Sequence, residues 1–460
     1  MARGSGALQL FRPLAALVPS VRRADRTVPF RQRALYTGLS VSVFLVCSHL
    51  PLYGTNLAAA SGADPLYWVR SILASNRGTL MELGVAPVVT AGTVMQLLAG
   101  SKLLRVDHGV REDRELVDAA RKALAMAIAV GEATAHVALG MYGAVGALNG
   151  VLIVLQLVSA SAVVVFLEDL LDKGYGLRGA SAISLLSATN TCGKVVWQAL
   201  SPVVINGEFE GLLLAVVHRA FVGRAGKVAA TLLRRHLPNM MNLLATGVVM
   251  LAAVFLEGFR VLLPLHHRDG RRGRGATATF PIKLLYTSTM PIVLHSALVS
   301  FLYMLSQLLH YSRYGAGVVA RLLGSWKETS YAAVPVGGLA YYITPPAGLA
   351  HAPPHFYSAL LLASCALLSQ AWVEASGSSA KDVARQLADQ RLAMPGARDG
   401  AVYSQLKRYI PTAAALGGLC VGALTILADI TGAIGSGTGI MLAATVVYNL
   451  VDNFKTAGEY

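Results

Sequence analysis

A chain of 460 residues would make about three soluble domains, but 55% hydrophobic residues against 14% charged leave too little polar surface to solvate them. A mean hydropathy of +0.55 says the same, and so aliphatic a chain is not disordered either. The composition is that of an all-α polytopic membrane protein, whose formal charge of +15 has to sit in the connections because Lys and Arg are costly in hydrocarbon.

In chain order, the first 33 residues carry an amphipathic stretch around Leu8 to Val21 without an uninterrupted apolar core or cleavage site, which predicts a retained helix on the membrane surface. Runs near the roughly 20 residues that cross a bilayer follow at 34–53, 79–98, 123–142, 151–169, 182–200, 240–262, 288–309, 355–373, 412–430 and 434–451. Ten spans put both termini on one side. The second carries Pro87 and Thr90, the fifth is rich in Ser and Ala, and the last opens on Gly435 to Gly439. Such helices pack on protein or line a cavity.

Between the first two spans, residues 54–78 are too long for a simple turn. Asp64 followed by Pro65 reads as a helix N-cap with Pro in the first turn, predicting a short helix over Leu66 to Leu73 with Tyr67 and Trp68 on its apolar surface. It is too short to span and folds back or lies on the membrane. The four cysteines, Cys47, Cys192, Cys365 and Cys420, all fall in apolar runs, so no disulfide framework follows.

Orientation is read from basic residues near span ends. Residues 1–33 hold Arg3, Arg12, Arg22, Arg23, Arg26, Arg31 and Arg33 against Asp25 alone, and 260–283 holds Arg268, Arg271, Arg272 and Arg274 against Asp269. Both lie on the same side, which is assigned to the cytosol. The connection 201–239, with Arg219, Arg224, Lys227, Arg234 and Arg235, runs against the rule on the opposite side.

A search for chemistry returns no HExxH, CxxC, P-loop or intramembrane aspartyl pair, and hence no catalytic residue, metal or cofactor. Gly435 to Gly439 has neither a preceding strand nor a following Lys, so close helix packing explains it better than a phosphate cradle. Glu132 and His136, four apart on the third span, and His295 on the seventh are compatible with a proton relay or with structural pairing inside the bundle.

The strings DPLYWVRSILASNRGTLMELG (64–84), MQLLAGSKLL (95–104), KGYGL (173–177), LPNMMNLLAT (237–246), SALVS (296–300), SGSSAKDVARQL (376–387) and RYIPTAAALGGLCVGAL (408–424) then resemble the SecY family of protein-conducting channels, in the form of the alpha subunits of the eukaryotic Sec translocon. The likeness runs over nearly the whole chain. It implies ten transmembrane helices in two pseudo-symmetric halves of five around a central hourglass pore with a re-entrant plug helix, and a protein that is not an enzyme. By that resemblance 1–33 is a cytosolic segment, 34–200 the N-terminal half, 201–239 the hinge connection, 240–451 the C-terminal half and 452–460 a cytosolic tail.

The resemblance further places the plug in 54–78, including Asp64, Pro65, Leu66, Tyr67, Trp68, Val69 and Arg70, and the apolar pore ring at Val85, Val89, Ile183, Ser187, Val293 and Leu442. Val85 and Val89 are four apart, as are Ile183 and Ser187, so each pair projects one way from its helix. Ser187 departs from the family's aliphatic. A lateral gate between spans two and three and spans seven and eight would include Thr90, Glu132, His295 and Phe301, with Glu132 where an amide is usual and Phe301 where Asn is usual. Glu132 is expected to be held by His136 or His295.

The loops 260–283 and 374–411 resemble ribosome-docking loops, with Arg268, Arg271, Arg272, Arg274, Arg391, Arg398, Lys407 and Arg408 facing ribosomal RNA; lipid contact and topology alone would also account for such charge. The implied partners are small single-span beta and gamma subunits, the ribosome, signal sequences and nascent chains, membrane lipid, and lumenal chaperones and accessory membrane proteins. The implied location is the endoplasmic reticulum membrane, with both termini cytosolic. A proton-coupled secondary transporter of a small solute, which would share halves of five spans, and a non-conducting scaffold are the other readings.

Overall fold

The computed structural model describes residues 21–23, 28–55, 70, 73–100, 111–138, 142, 145–177, 181–205, 208–221, 239–267, 277–287, 290–311, 317–329, 332–343, 354–390, 392–393, 401–435 and 437–458. Within them, ten helices of 15 residues or more follow the ten predicted spans. They are α1 Phe30–His49, α2 Ala86–Gly100, α3 Arg111–Ala138, α4 Ala147–Leu170 and α5 Ala182–Leu200, and, after a short strand pair β1 Val204–Ile205 and β2 Glu208–Phe209 and a helix α6 Leu212–Phe221, α7 Met240–Glu257. The hairpin β3 Arg260–His267 and β4 Thr277–Lys283 leads to α8 Met290–Tyr311. Next come α9 Val318–Leu323, β5 Ser325–Thr329, β6 Ala332–Gly337, α10 Leu339–Ile343, α11 Pro354–Ala375, α12 Ala380–Asp389, β7 Leu392–Ala393, α13 Ala401–Thr431 and α14 Gly437–Gly458.

Local chemistry sets the helix ends. α1 stops at Leu50, already extended at φ −75° and ψ 119°, because Pro51 disfavours the helical conformation in the residue before it. Ser181 caps α5 by accepting from the Ser184 amide, and Asn239 caps α7 by accepting from the Asn242 amide at 2.9 Å. Among the described residues, five helices, those around α4, α7, α8, α11 and α13, are long and apolar enough to cross a membrane by length and composition alone.

Several predicted spans shift, the ninth starting at Ala401 instead of 412 and the tenth running to Gly458 instead of 451. The second starts at Ala86 instead of 79, because residues 79–85 are spent in turns. The third covers 111–138 instead of 123–142: its charged first half stays helical because Arg121 and Lys122 find acids at the end of α4, with Arg121 Nη1 2.8 Å from Glu168 and Lys122 Nζ 2.7 Å from Asp169. Glu168 is thus buried and paired. The sixth ends at Glu257 rather than 262, since the alternating sequence from Arg260 pairs as a strand.

That strand turns the basic segment 260–283 from a loop into a hairpin in the order β4-β3-β7, with Leu263 opposite Phe280 and Leu265 opposite Ala278. Period-two patterning buries Leu263 and Leu265 while Leu262 before them and Pro264 between them face out. The buried face joins Ile282, Val383, Leu387, Leu406 and Ile410 in a small core outside the bundle. The two sets of five helices meet along α5 and α14, where Ala188, Ala443 and Val446 pack together, and along α2 and α11.

Candidate pore, plug base and gate

Val85, Val89, Val293 and Leu442 all belong to one buried cluster, with Ile183 packed against it and Leu186, Val88 and Ala91 among its other members. These residues come from the start of α2 and from α5, α8 and α14, so the cluster joins both sets of helices. Ser187 is 1% exposed. Five of the six residues proposed from the family pattern are therefore buried and Ile183 is half-buried; four belong to one apolar cluster and Ile183 packs against it. Val85 is fixed from two directions: its amide donates to the Leu73 carbonyl at 2.8 Å, and its carbonyl accepts from the Val89 amide at 3.0 Å.

The segment leading into this cluster is tightly wound. Asp64 to Val69 lie outside the described residues; Arg70 is buried, and its Nη1 lies 3.3 Å from Glu82 Oε1 and 3.3 Å from Ser75 Oγ. The other Glu82 oxygen accepts from the Gly78 amide at 3.2 Å, and Ser75 Oγ donates to the Glu82 carbonyl. The Leu52 amide donates to the Gly78 carbonyl and the Leu80 amide to the Leu50 carbonyl, tying the end of α1 to the same turn. Gly84 has φ +57°, and a Cβ there would lie 2.2 Å from the Leu73 carbonyl oxygen, so only glycine fits. Asn76 Nδ2 reaches Asn190 Oδ1 on α5 at 3.4 Å. Sequence reasoning named Arg70 but missed Glu82, Ser75 and Gly78; the signal was a lone acid inside the apolar run from Leu80 to Val89.

At the candidate gate, α2 packs on α11. Thr90 is half-buried and its hydroxyl donates to the Ala86 carbonyl of its own helix at 2.9 Å. Phe301 lies on the exposed face of α8, whereas His295, one and a half turns earlier, is buried. The expected pairing of Glu132 with a histidine is not formed: His295 Nδ1 is 2.9 Å from Ser364 Oγ on α11, and His136 Nδ1 has no hydrogen-bond partner among the described residues. For His295 the helix packing explains this, because α8 meets α11 while α3, which carries Glu132, packs on α2 and α4.

Of the basic residues proposed to face a polyanion, Arg268, Arg271, Arg272, Arg274, Arg391 and Arg398 lie outside the described residues. Lys407 and Arg408 are placed on the first turns of α13, beside the hairpin core. On the first half of the bundle, Val21 offers its amide to Asp169 at 2.7 Å and its carbonyl to Lys173 at 2.7 Å, while Asp169 also holds Lys122. Of the surface helix expected over Leu8 to Val21, all but this last residue lies outside the described residues.

A family model described as SecY matches residues 79–451, and one described as the plug domain of Sec61p matches 43–78. The protein transport protein Sec61 subunit alpha of Dictyostelium discoideum is 48% identical over 464 residues, covering 97% of this chain and 96% of that protein. Among solved structures, one titled the structure of a protein conducting channel aligns with TM-score 0.74 at 28% identity, covering 96% of this chain and 95% of the other. Sec61 in the canine ribosome-channel complex from the endoplasmic reticulum aligns with TM-score 0.73 at 28% identity and the same coverage.

Proposed function

From the premise that this chain belongs to the SecY family, as the matched residues 79–451 and the full-length relative show, we propose how its own residues perform the work of that family. It is the pore-forming subunit of a protein-conducting channel, a multi-pass protein of the endoplasmic reticulum membrane, and not an enzyme. The observation that carries the residue-level reading is the single apolar cluster that draws Val85 and Val89, Ile183, Val293 and Leu442 from four helices and both halves.

A narrow ring of this kind repels water and ions by dewetting yet offers a passing polypeptide no strong site to bind. Because its members sit on separate helices, a threading chain widens it by parting them. Arg70, inside the plug segment 54–78 and held by Glu82, anchors that segment at the mouth of the ring. Sideways, α2 against α11 is the seam through which a signal helix leaves. The sorting energy is partition: each Leu in a roughly 20-residue segment gains a few tenths of a kcal/mol in lipid, whereas Lys or Asp costs about 3.

The cytosolic face carries 1–33, the 260–283 hairpin and 374–411, with both termini on that side and the hinge 201–239 opposite. The hairpin strands and α12 pack into one small core, and Arg268, Arg271, Arg272, Arg274, Arg391, Arg398, Lys407 and Arg408 meet ribosomal RNA. The canine relative's ribosome complex supports this docking. Small single-span beta and gamma subunits and lumenal accessory proteins complete the assembly. The transporter reading finds no support, since His295 is engaged by Ser364 and the relatives are protein-conducting channels.

The test is site-specific crosslinking of a stalled nascent chain. Probes at Val85, Val89, Val293 and Leu442 are expected to capture it midway; capture by loop positions alone overturns the ring. Charge reversal at Arg271 and Arg272 is expected to abolish ribosome binding, which should also fall steeply from low to high salt. Unchanged binding after that reversal would leave those arginines as topology signals.

A further inference from the structure

The hinge connection contains a helix whose placement points to a use of its own. Ser201 ends α5, and the chain returns to it ten residues later: the Glu210 amide donates to the Val203 carbonyl at 2.8 Å and the Gly211 amide to the Ser201 carbonyl at 3.2 Å, across the short β1–β2 ladder. A Cβ on Gly211 would lie 2.5 Å from the Ser201 nitrogen, so the return is as close as backbone allows. α6 therefore starts at the level where α5 leaves the bilayer.

With 10 residues, α6 is about 15 Å long and too short to cross. Its faces are sharply divided. Leu212 and Ala215 are buried against the end of α5, while Leu213, Val217 and Phe221, spaced four apart on one stripe, are 45%, 51% and 87% exposed. Ala220 falls within the stripe, which holds no charged residue; His218 and Arg219 lie outside it. Exposed apolar side chains run into the stripe from the lipid-facing end of α5, through Val196, Trp197, Leu200, Val203 and Val204. An apolar face that is continuous with the lipid-facing surface, on a helix beginning at the membrane boundary, fits lipid as its occupant.

We propose that α6 is an interfacial helix that rests in the leaflet at the far end of α5, with Leu213, Val217 and Phe221 among the upper acyl chains. It tethers the connection between the two halves to the bilayer, so that opening of the halves is felt by the leaflet at the hinge. The inference stands on the membrane-spanning fold alone, and failure of nascent-chain crosslinking at the ring would leave it intact.

The test places a photo-activated benzophenone amino acid singly at Leu213, Val217, Phe221 or His218 of the full chain, in native membranes containing the assembled channel and in phosphatidylcholine vesicles. Phe221 is an exposed aromatic, so replacement there does not threaten folding, which an unchanged thermal midpoint verifies. Adducts to lipid acyl chains are expected at the three stripe positions, several-fold above those at His218, in both settings. A second measurement uses a nitroxide on Phe221→Cys, which should be relaxed more by oxygen than by a water-soluble nickel chelate. Protein adducts in native membranes would show that a partner covers the stripe. A nitroxide relaxed chiefly by the chelate would show that water does. Either result overturns the proposal.

Discussion

The apolar cluster around Val85 and the polar turn around Glu82 lie three residues apart and are built from opposite chemistry. In the first, Val85, Val89, Val293 and Leu442 are held by contacts without direction, which several side-chain arrangements satisfy. In the second, Arg70, Ser75, Gly78 and Glu82 are joined by directed bonds in a space where the ion-paired side chains are 9% and 1% exposed. A deformable cluster can widen and reseal. A directed network holds one geometry or breaks, which suits the base of a plug that must return to the same seat.

The sharpest way to break the contrast is Glu82→Ala. It strands Arg70 without its acid and removes the acceptor of Gly78, and losing one member of a buried pair costs about 3–5 kcal/mol. Hydrogen exchange over 73–85 is expected to rise by orders of magnitude, and purified channel in vesicles to leak small ions. Exchange in α13 should be unchanged. If 73–85 stays as protected as before, the network is ornamental.

A second ionic site probes whether directed bonds elsewhere also fix a segment. Lys122 and Asp169 are each 3% exposed and 2.7 Å apart, and Asp169 in turn accepts from Val21. Lys122→Met should cost about 3 kcal/mol locally and free the N-terminal segment, read as faster proteolysis near Val21. Because the pair is buried, raising salt on the unaltered protein should not imitate the substitution. Imitation by salt would mean the pair is solvated.

The cluster side of the contrast predicts gentler behaviour. Val293→Ala removes two buried methyl groups, worth about 1–2 kcal/mol, and should increase ion leak without loosening 73–85. Val293→Leu should restore the seal. A leak equal to that of Glu82→Ala, with 73–85 equally exposed to exchange, would erase the distinction between the two regions.

How much of this was legible in the sequence follows the same division. Long apolar runs placed all ten helices, and family-matched strings located the cluster, because hydrophobic burial depends on residue type and period, which a sequence displays. The ends of helices were harder. The start of α3 reads as too charged to be helical until Glu168 and Asp169, nearly fifty residues away, are seen to neutralise it. The strand from Arg260 hid at the tail of an apolar run, since Val261 to Leu265 suits either structure until β4 pairs with it. Partnerships such as Arg70 with Glu82, or His295 with Ser364 rather than Glu132, depend on where helices cross, which no local pattern encodes.

The smallest expected effect lies in that last pairing. Ser364 Oγ bridges α11 to His295 Nδ1 on α8 and also donates to the Leu361 carbonyl at 2.9 Å. Ser364→Ala deletes one neutral hydrogen bond, about 1 kcal/mol, between two helices on the same side of the proposed seam. It therefore should not open the seam outright, but it lets α8 and α11 move independently. Weak signal sequences, which leave little surplus free energy for parting the helices, are expected to be accepted several-fold more often, with strong ones unaffected. The comparison is sharpened by pairing it with Glu132→Gln: with no bond from Glu132 to either histidine, that substitution should leave stringency where it was. Should the two substitutions instead shift stringency equally, Glu132 and His295 share a network that forms only when the seam begins to part.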